Sequence, residues 1–127
     1  MKGAFLVGQG AGTFETAKKV LLSLGGQISD DNSVIQIRDE TGGFFTVYRV
    51  PPGSEGEFRD GPLYAAPGLE VPDLSAASGL AIECRSEFQF VTFVKAIARA
   101  SPVDTWVIDG DGVVWSAGDV DASRVRL

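Results

Sequence analysis

Three glycines at alternate positions, Gly8, Gly10 and Gly12, follow the apolar run FLV and precede TFETAKKVLLSLGG. Glycines between a strand and a helix let backbone N–H groups close on a phosphate, and the helix start adds a partial positive charge. The spacing here is G-x-G-x-G, one residue short of the G-x-G-x-x-G dinucleotide fingerprint. No G-x-x-x-x-G-K-[ST] phosphate loop is present, because Lys18 and Lys19 fall inside the helical run. Asp30 lies where a ribose-binding acid could sit, but in SDDNS, a turn composition. A tight strand-to-helix corner accounts for the glycines, and anion capture by residues 8–13 is the alternative.

Asp104, Asp109 and Asp111 could offer hard oxygen ligands to a divalent cation. The stretch DGDG lacks the later glutamate of a calcium loop and is flanked by valines and tryptophans at strand spacing, so turn chemistry explains it. Cys84 stands alone and precedes Arg85 and a helix start, a setting that can depress a thiol pKa. Its place at a strand end instead predicts a buried structural thiol. A single cysteine allows no intramolecular disulfide and no cysteine-based zinc site. The chain contains no histidine, which removes Ser-His-Asp and Cys-His catalysis. Neither a metal nor a cofactor is expected, and the chain is read as not an enzyme.

These groups are positioned by elements whose periodicity is plain. Residues 4–7 read as a strand and 13–24 as a helix, with Phe14, Ala17, Val20, Leu21 and Leu24 at helical spacing, Thr13 as its N-cap and Gly25 as its stop. Residues 34–38 and 44–50 form a hairpin around DETGG. Residues 80–84 form a strand and 86–100 a helix, opened by a capping box of Ser86 and Gln89, with Val91, Val94, Ile97 and Ala98 inward. Residues 105–108 and 113–116 make a second hairpin, in which a turn centred between Gly110 and Asp111 sets Trp106 opposite Trp115 and Val107 opposite Val114. Both faces of that hairpin are apolar, which calls for a central place in the sheet with cover on both sides. The expected fold is a single α+β domain over residues 1–127, from two similar β-α-β-β units, with a mixed or antiparallel sheet and two helices on one face.

The 127 residues carry a net charge of −6, and the excess is local. Residues 51–78 hold Glu55, Glu57, Asp60, Glu70 and Asp73 against Arg59 alone, residues 101–127 contribute −3, and residues 1–50 balance. That sign disfavours nucleic acid, whose phosphates need cations, and favours a basic protein. Residues 51–78 also hold five of the six prolines and too many apolar side chains for a solvated linker. Such a loop docks either on its own domain or on a partner. In the second case Phe58 and Tyr64 are the anchors, within a rim of Glu55, Glu57, Asp60, Glu70 and Asp73. The N-terminal apolar run is too short for a signal peptide or a membrane span, which places the chain in the cytoplasm with no membrane contact.

The stretch ECRSEFQFVTFVKAIARASPVDTWVIDGDGVVWSAGDVDASRVRL resembles the C-terminal part of small bacterial immunity proteins that neutralise polymorphic or contact-dependent toxins, where a helix precedes a hairpin with a W-V-x-D-x-x-G turn. The resemblance covers about the last third of the chain. It implies a non-enzymatic inhibitor that occludes a cognate toxin by electrostatic complementarity, and it carries over no individual residue. The expectation is therefore an antitoxin-like binding protein, a monomer or weak dimer, whose partner is a basic toxin domain. Two other readings stand beside it. One is a small anion- or nucleotide-binding enzyme or regulatory domain using residues 8–13, with Asp109 as acid or base. The other is a structural homo-oligomer or complex subunit built through a sheet edge or the tryptophan hairpin.

Overall fold

The computed structural model describes residues 2–127, of Lys2 the backbone only. In chain order the elements are β1 (Lys2–Gln9), α1 (Thr13–Ser23), β2 (Gln27–Ile28), β3 (Val34–Arg38), β4 (Phe44–Arg49), α2 (Gly56–Arg59), β5 (Tyr64–Ala65), β6 (Ala77–Cys84), α3 (Glu87–Ala100), β7 (Thr105–Ile108) and β8 (Val113–Ser116). The strands form one mixed sheet in the order β2-β3-β4-β6-β1-β7-β8-β5, in which only β5 and β8 run parallel. This is the expected single α+β domain. The middle of the sheet is the long antiparallel pair β1 and β6, with Leu6 opposite Leu80 and Ala4 opposite Ile82. The tryptophan hairpin lies towards one end instead of at the centre, because β1 takes β6 on one side and β7 on the other.

Strand alternation sorts the apolar residues into two layers. Leu6, Ile35, Ile37, Phe45, Val47, Leu80 and Ile82 face Phe14, Ala17 and Leu21 of α1 and Phe90, Val94 and Ile97 of α3 in one cluster. Phe45 packs on Phe90 and Phe93, with ring centroids 6.5 and 4.9 Å apart. Val120, Val125 and Leu127 of the C-terminal tail join the same layer beside Trp115. Val7, Ile108 and Val114 point to the other face, where Phe58, Leu74 and Ala77 meet them.

Local chemistry sets the boundaries. α1 ends in a Schellman motif, with Gly25 at φ 100°, its N–H donated to Leu22 and that of Gly26 to Leu21 at 2.8 Å. Thr13 is the first helical residue and Gly12 the N-cap, so the threonine does not cap its own helix. Ser86 does cap α3, accepting from the Gln89 N–H at 3.2 Å. The reciprocal half of the capping box is missing, because Gln89 spends its side chain on the Gly43 carbonyl at 2.8 Å and ties α3 to the β3–β4 turn.

The second hairpin is shifted by one residue from the expected register. Val107 pairs with Trp115 and Trp106 with Ser116. Gly112 at φ 79° adds a left-handed residue after the turn, which makes a three-residue connection of the bulged type in place of a two-residue one. One residue of slip moves a side chain to the other face. Trp115 consequently joins the helix layer, and Trp106 joins the opposite one. The strand β2 and the two short elements α2 and β5 were not visible as periodic runs, and β6 starts at Ala77, inside the segment read as loop.

Candidate functional site

The acidic, proline-rich segment between β4 and β6 is a strap laid across the second face of the sheet. Its single helical turn α2 drives Phe58 into that face, where the ring is 2% exposed and lies 6.1 Å from Phe5. A Cβ on Gly79 would come within 2.8 Å of the Phe58 ring, so the absence of a side chain there is what lets the ring down onto β6. Leu74 and Ala66 are buried as well. β5 adds two residues to the sheet edge, with the Tyr64 and Ala66 N–H groups donating to Gly112 and Val114 at 3.0 and 2.9 Å. Arg59 pins the strap by donating to the Ala77 carbonyl at 2.8 Å. Phe58 is therefore a core residue of its own domain and not a partner-binding anchor: strap docking has used its apolar surface. Tyr64 remains 58% exposed on β5.

With its apolar side turned down, the strap turns its carboxylates up. Glu57, Asp60, Glu70 and Asp73 are exposed and Glu55 is half-buried. They do not form one rim. Glu55 and Asp73 flank Arg59, whose charge helps to hold both carboxyls below their ordinary values. The main causes are backbone N–H bonds at Glu55 and Gly53 for the first, and the Ser75 N–H and hydroxyl for the second. Glu57 lines a cleft of about 330 Å³ together with Asp111 of the β7–β8 turn. Glu70 lines a larger one of about 1120 Å³ with Asp104, Lys95, Arg99 and Trp106. Two acidic segments far apart in sequence thus share clefts. Sequence reading missed this pairing because it depends on β5 joining β8.

The glycine corner is tied to β6 on one side, while Gly10 and Ala11 line an open cleft of about 500 Å³ together with Glu15, Arg49 and Arg59. Thr13 donates its hydroxyl to the Ser78 carbonyl at 3.2 Å and accepts from the Ser78 hydroxyl at 2.8 Å, and the Ser78 oxygen lies 3.4 Å from the Thr13 N–H. Ser78 on β6 is thus the cap of α1. A Cβ on Gly8 would fall 2.8 Å from the Thr13 hydroxyl, and the Gly10 N–H donates to Ala76 at 3.0 Å. Close packing explains Gly8 and a left-handed backbone at φ 79° explains Gly10, whereas a side chain at Gly12 would meet nothing.

Asp109 is buried, and its two oxygens serve four donors. One oxygen accepts from the Asp111 and Val113 N–H groups at 2.9 and 3.0 Å. The other accepts from the Trp115 indole at 3.1 Å and the Arg126 N–H at 3.2 Å, so it welds turn, strand and tail together. Asp39 makes the same turn in the first hairpin, accepting from the Thr41 and Gly43 N–H groups before Gly42 at φ 84°. Cys84 is buried, with its sulfur 3.5 Å from the Ser86 carbonyl. Among the described residues no three histidine, cysteine or acidic side chains converge as a metal site, and no helix is long and apolar enough to cross a membrane.

Comparison with protein families, with curated proteins and with solved structures finds no match to this chain.

Proposed function

We propose that this chain is a non-catalytic binding protein that covers a basic surface of a partner protein. In the form that the C-terminal resemblance implies, it is an immunity-type inhibitor of a bacterial toxin. The observation that carries this reading is the cleft that Glu57 of the strap and Asp111 of the β7–β8 turn line without a basic side chain, on a segment already docked by Phe58. A docked strap loses little conformational freedom when it binds, so less of the interaction energy is spent on ordering it. Long-range attraction by the carboxylates speeds encounter, while an exposed aromatic such as Tyr64 slows release. The four-donor shell of Asp109 supports the same reading, because both of its oxygens are already filled by its own turn, strand and tail.

Co-expression with any toxic domain encoded in a neighbouring reading frame tests the proposal. Protection of the host is expected, and it should weaken when Glu57→Gln, Glu70→Gln, Asp104→Asn and Asp111→Asn are combined. All four side chains are exposed, so the folded state should survive. Absence of protection by the unaltered chain, or full protection by the neutralised one, would overturn it.

A further inference from the structure

The chain has four aspartyl or asparaginyl bonds to glycine or serine: Asn32–Ser33, Asp60–Gly61, Asp109–Gly110 and Asp111–Gly112. At each, the following backbone nitrogen can attack the side-chain carbonyl carbon and close a five-membered imide. A glycine puts no Cβ in the way. The attack also needs a nitrogen that is free to turn, and three of the four are held. The Ser33 N–H donates to Ser29 Oγ at 3.3 Å and to Asp31 Oδ1 at 3.2 Å. The Gly112 N–H donates to the Asp109 carbonyl at 3.0 Å, and that of Gly110 to the Arg126 carbonyl. The Asp109 carboxylate is moreover filled by its own four donors.

Asp60–Gly61 differs on every count. Both residues are exposed in the strap, just after α2. The Gly61 N–H has no acceptor among the described residues, and a Cβ on Gly61 would meet nothing, so no neighbour confines the backbone there. We propose that this bond is a self-modification site, at which the strap converts its own main chain to an isoaspartyl linkage. The Gly61 nitrogen bonds to Asp60 Cγ, and its proton leaves with the carboxyl hydroxyl as water. Water then adds back to the imide. Addition at Cγ restores aspartate, whereas addition at the Asp60 main-chain carbonyl breaks the original peptide bond and frees that carbon as the carboxylate. The chain then runs through Cγ, with one more backbone carbon between α2 and β5. The inference does not depend on the proposed partner.

The test is to age the folded chain near neutral pH beside the same chain in urea, and to locate isoaspartate by methyl transfer from an isoaspartyl carboxyl methyltransferase and mass spectrometry of the peptides. In urea all four bonds should react. In the folded chain Asp60 should keep most of its urea rate, while Asn32, Asp109 and Asp111 should each slow by about tenfold or more, since a held N–H reacts only when its region opens. Gly61→Ala, at an exposed position with room for the methyl, should slow the Asp60 signal, and Asp60→Glu should remove it. Folding that protects Asp60 as strongly as the other three, or an absence of isoaspartate at residue 60 in the folded chain, would overturn the assignment.

Discussion

The two halves of the sheet's second face are built differently. Towards β7 and β8 it is apolar: Phe5, Val7, Trp106, Ile108 and Val114 lie beneath Phe58 and Leu74 of the strap. Towards β3 and β4 the same face, followed by register through Tyr48 opposite Ala81 and Thr46 opposite Glu83, carries Gln36, Arg38, Phe44, Thr46, Tyr48 and Glu83. There the side chains satisfy one another without a cover. Gln36 donates to Thr46 at 3.1 Å, Tyr48 donates to Glu83 at 3.4 Å, and the Arg38 guanidinium lies 4.4 Å over the Phe44 ring. A strand that is apolar on both faces must be roofed, whereas one that alternates can meet water. The strap supplies the roof only where the strands demand it.

Removing the roof's main contact should have the largest effect. Phe58→Ala is expected to cost about 3–5 kcal/mol in urea unfolding and to expose residues 51–76 to limited proteolysis, as for other buried aromatic truncations. A loss below about 1 kcal/mol would mean that the strap is only resting on the sheet.

The paired aspartate turns come next. Asp109→Asn replaces a buried carboxylate that holds four donors and should cost about 1.5–3 kcal/mol. Asp39→Asn, in the same turn without a tryptophan or tail to hold, should cost clearly less in the same unfolding curves. Equal losses would erase the distinction between the two hairpins.

Phe44→Ala on the open half should change stability by no more than about 1 kcal/mol, measured by the same unfolding curves. A larger loss would show that this half is covered in solution as well.

The smallest effect is a pH dependence. The Thr41 hydroxyl, and then the Thr41, Gly43 and Gly42 N–H groups, hold the Asp39 carboxyl below its ordinary 3.8. Asp31, bonded by the hydroxyls of Ser33 and Ser29, is lowered in the same direction. A carboxyl depressed in the folded state contributes stability that is present above its ordinary pKa and is lost as the pH falls through the folded value. Unfolding midpoints should therefore hold steady above about pH 5 and decline below about pH 4, and Asp39→Asn should shallow that decline.

How much of this was legible follows from the range of each cause. The β3–β4 hairpin, α1 and α3 rest on periodicity and local turn residues, and their bounds match the sequence reading to within a residue or two. The α1 cap was misread because its oxygen comes from Ser78, 65 residues away. The tryptophan register was misread because DGDG suits either a two-residue or a bulged three-residue turn, and the Asp109 side chain selects the second by accepting from the Asp111 and Val113 N–H groups. The fate of the strap was the least legible. Its apolar residues announced docking, but only the bare Cα of Gly79 beneath the Phe58 ring shows where that ring goes. The acids were visible as a surplus and invisible as an arrangement, since Glu57 and Asp111 line one cleft only after the strap has folded.

The proposed function requires that docking fix an acidic surface for a basic partner. Its most direct test is the association rate with a partner found by co-expression, measured as a function of ionic strength. The rate should fall by about tenfold or more between low and physiological salt, and the drop should largely vanish once Glu57, Glu70, Asp104 and Asp111 are neutralised. A rate that ignores both salt and those four carboxylates would contradict it.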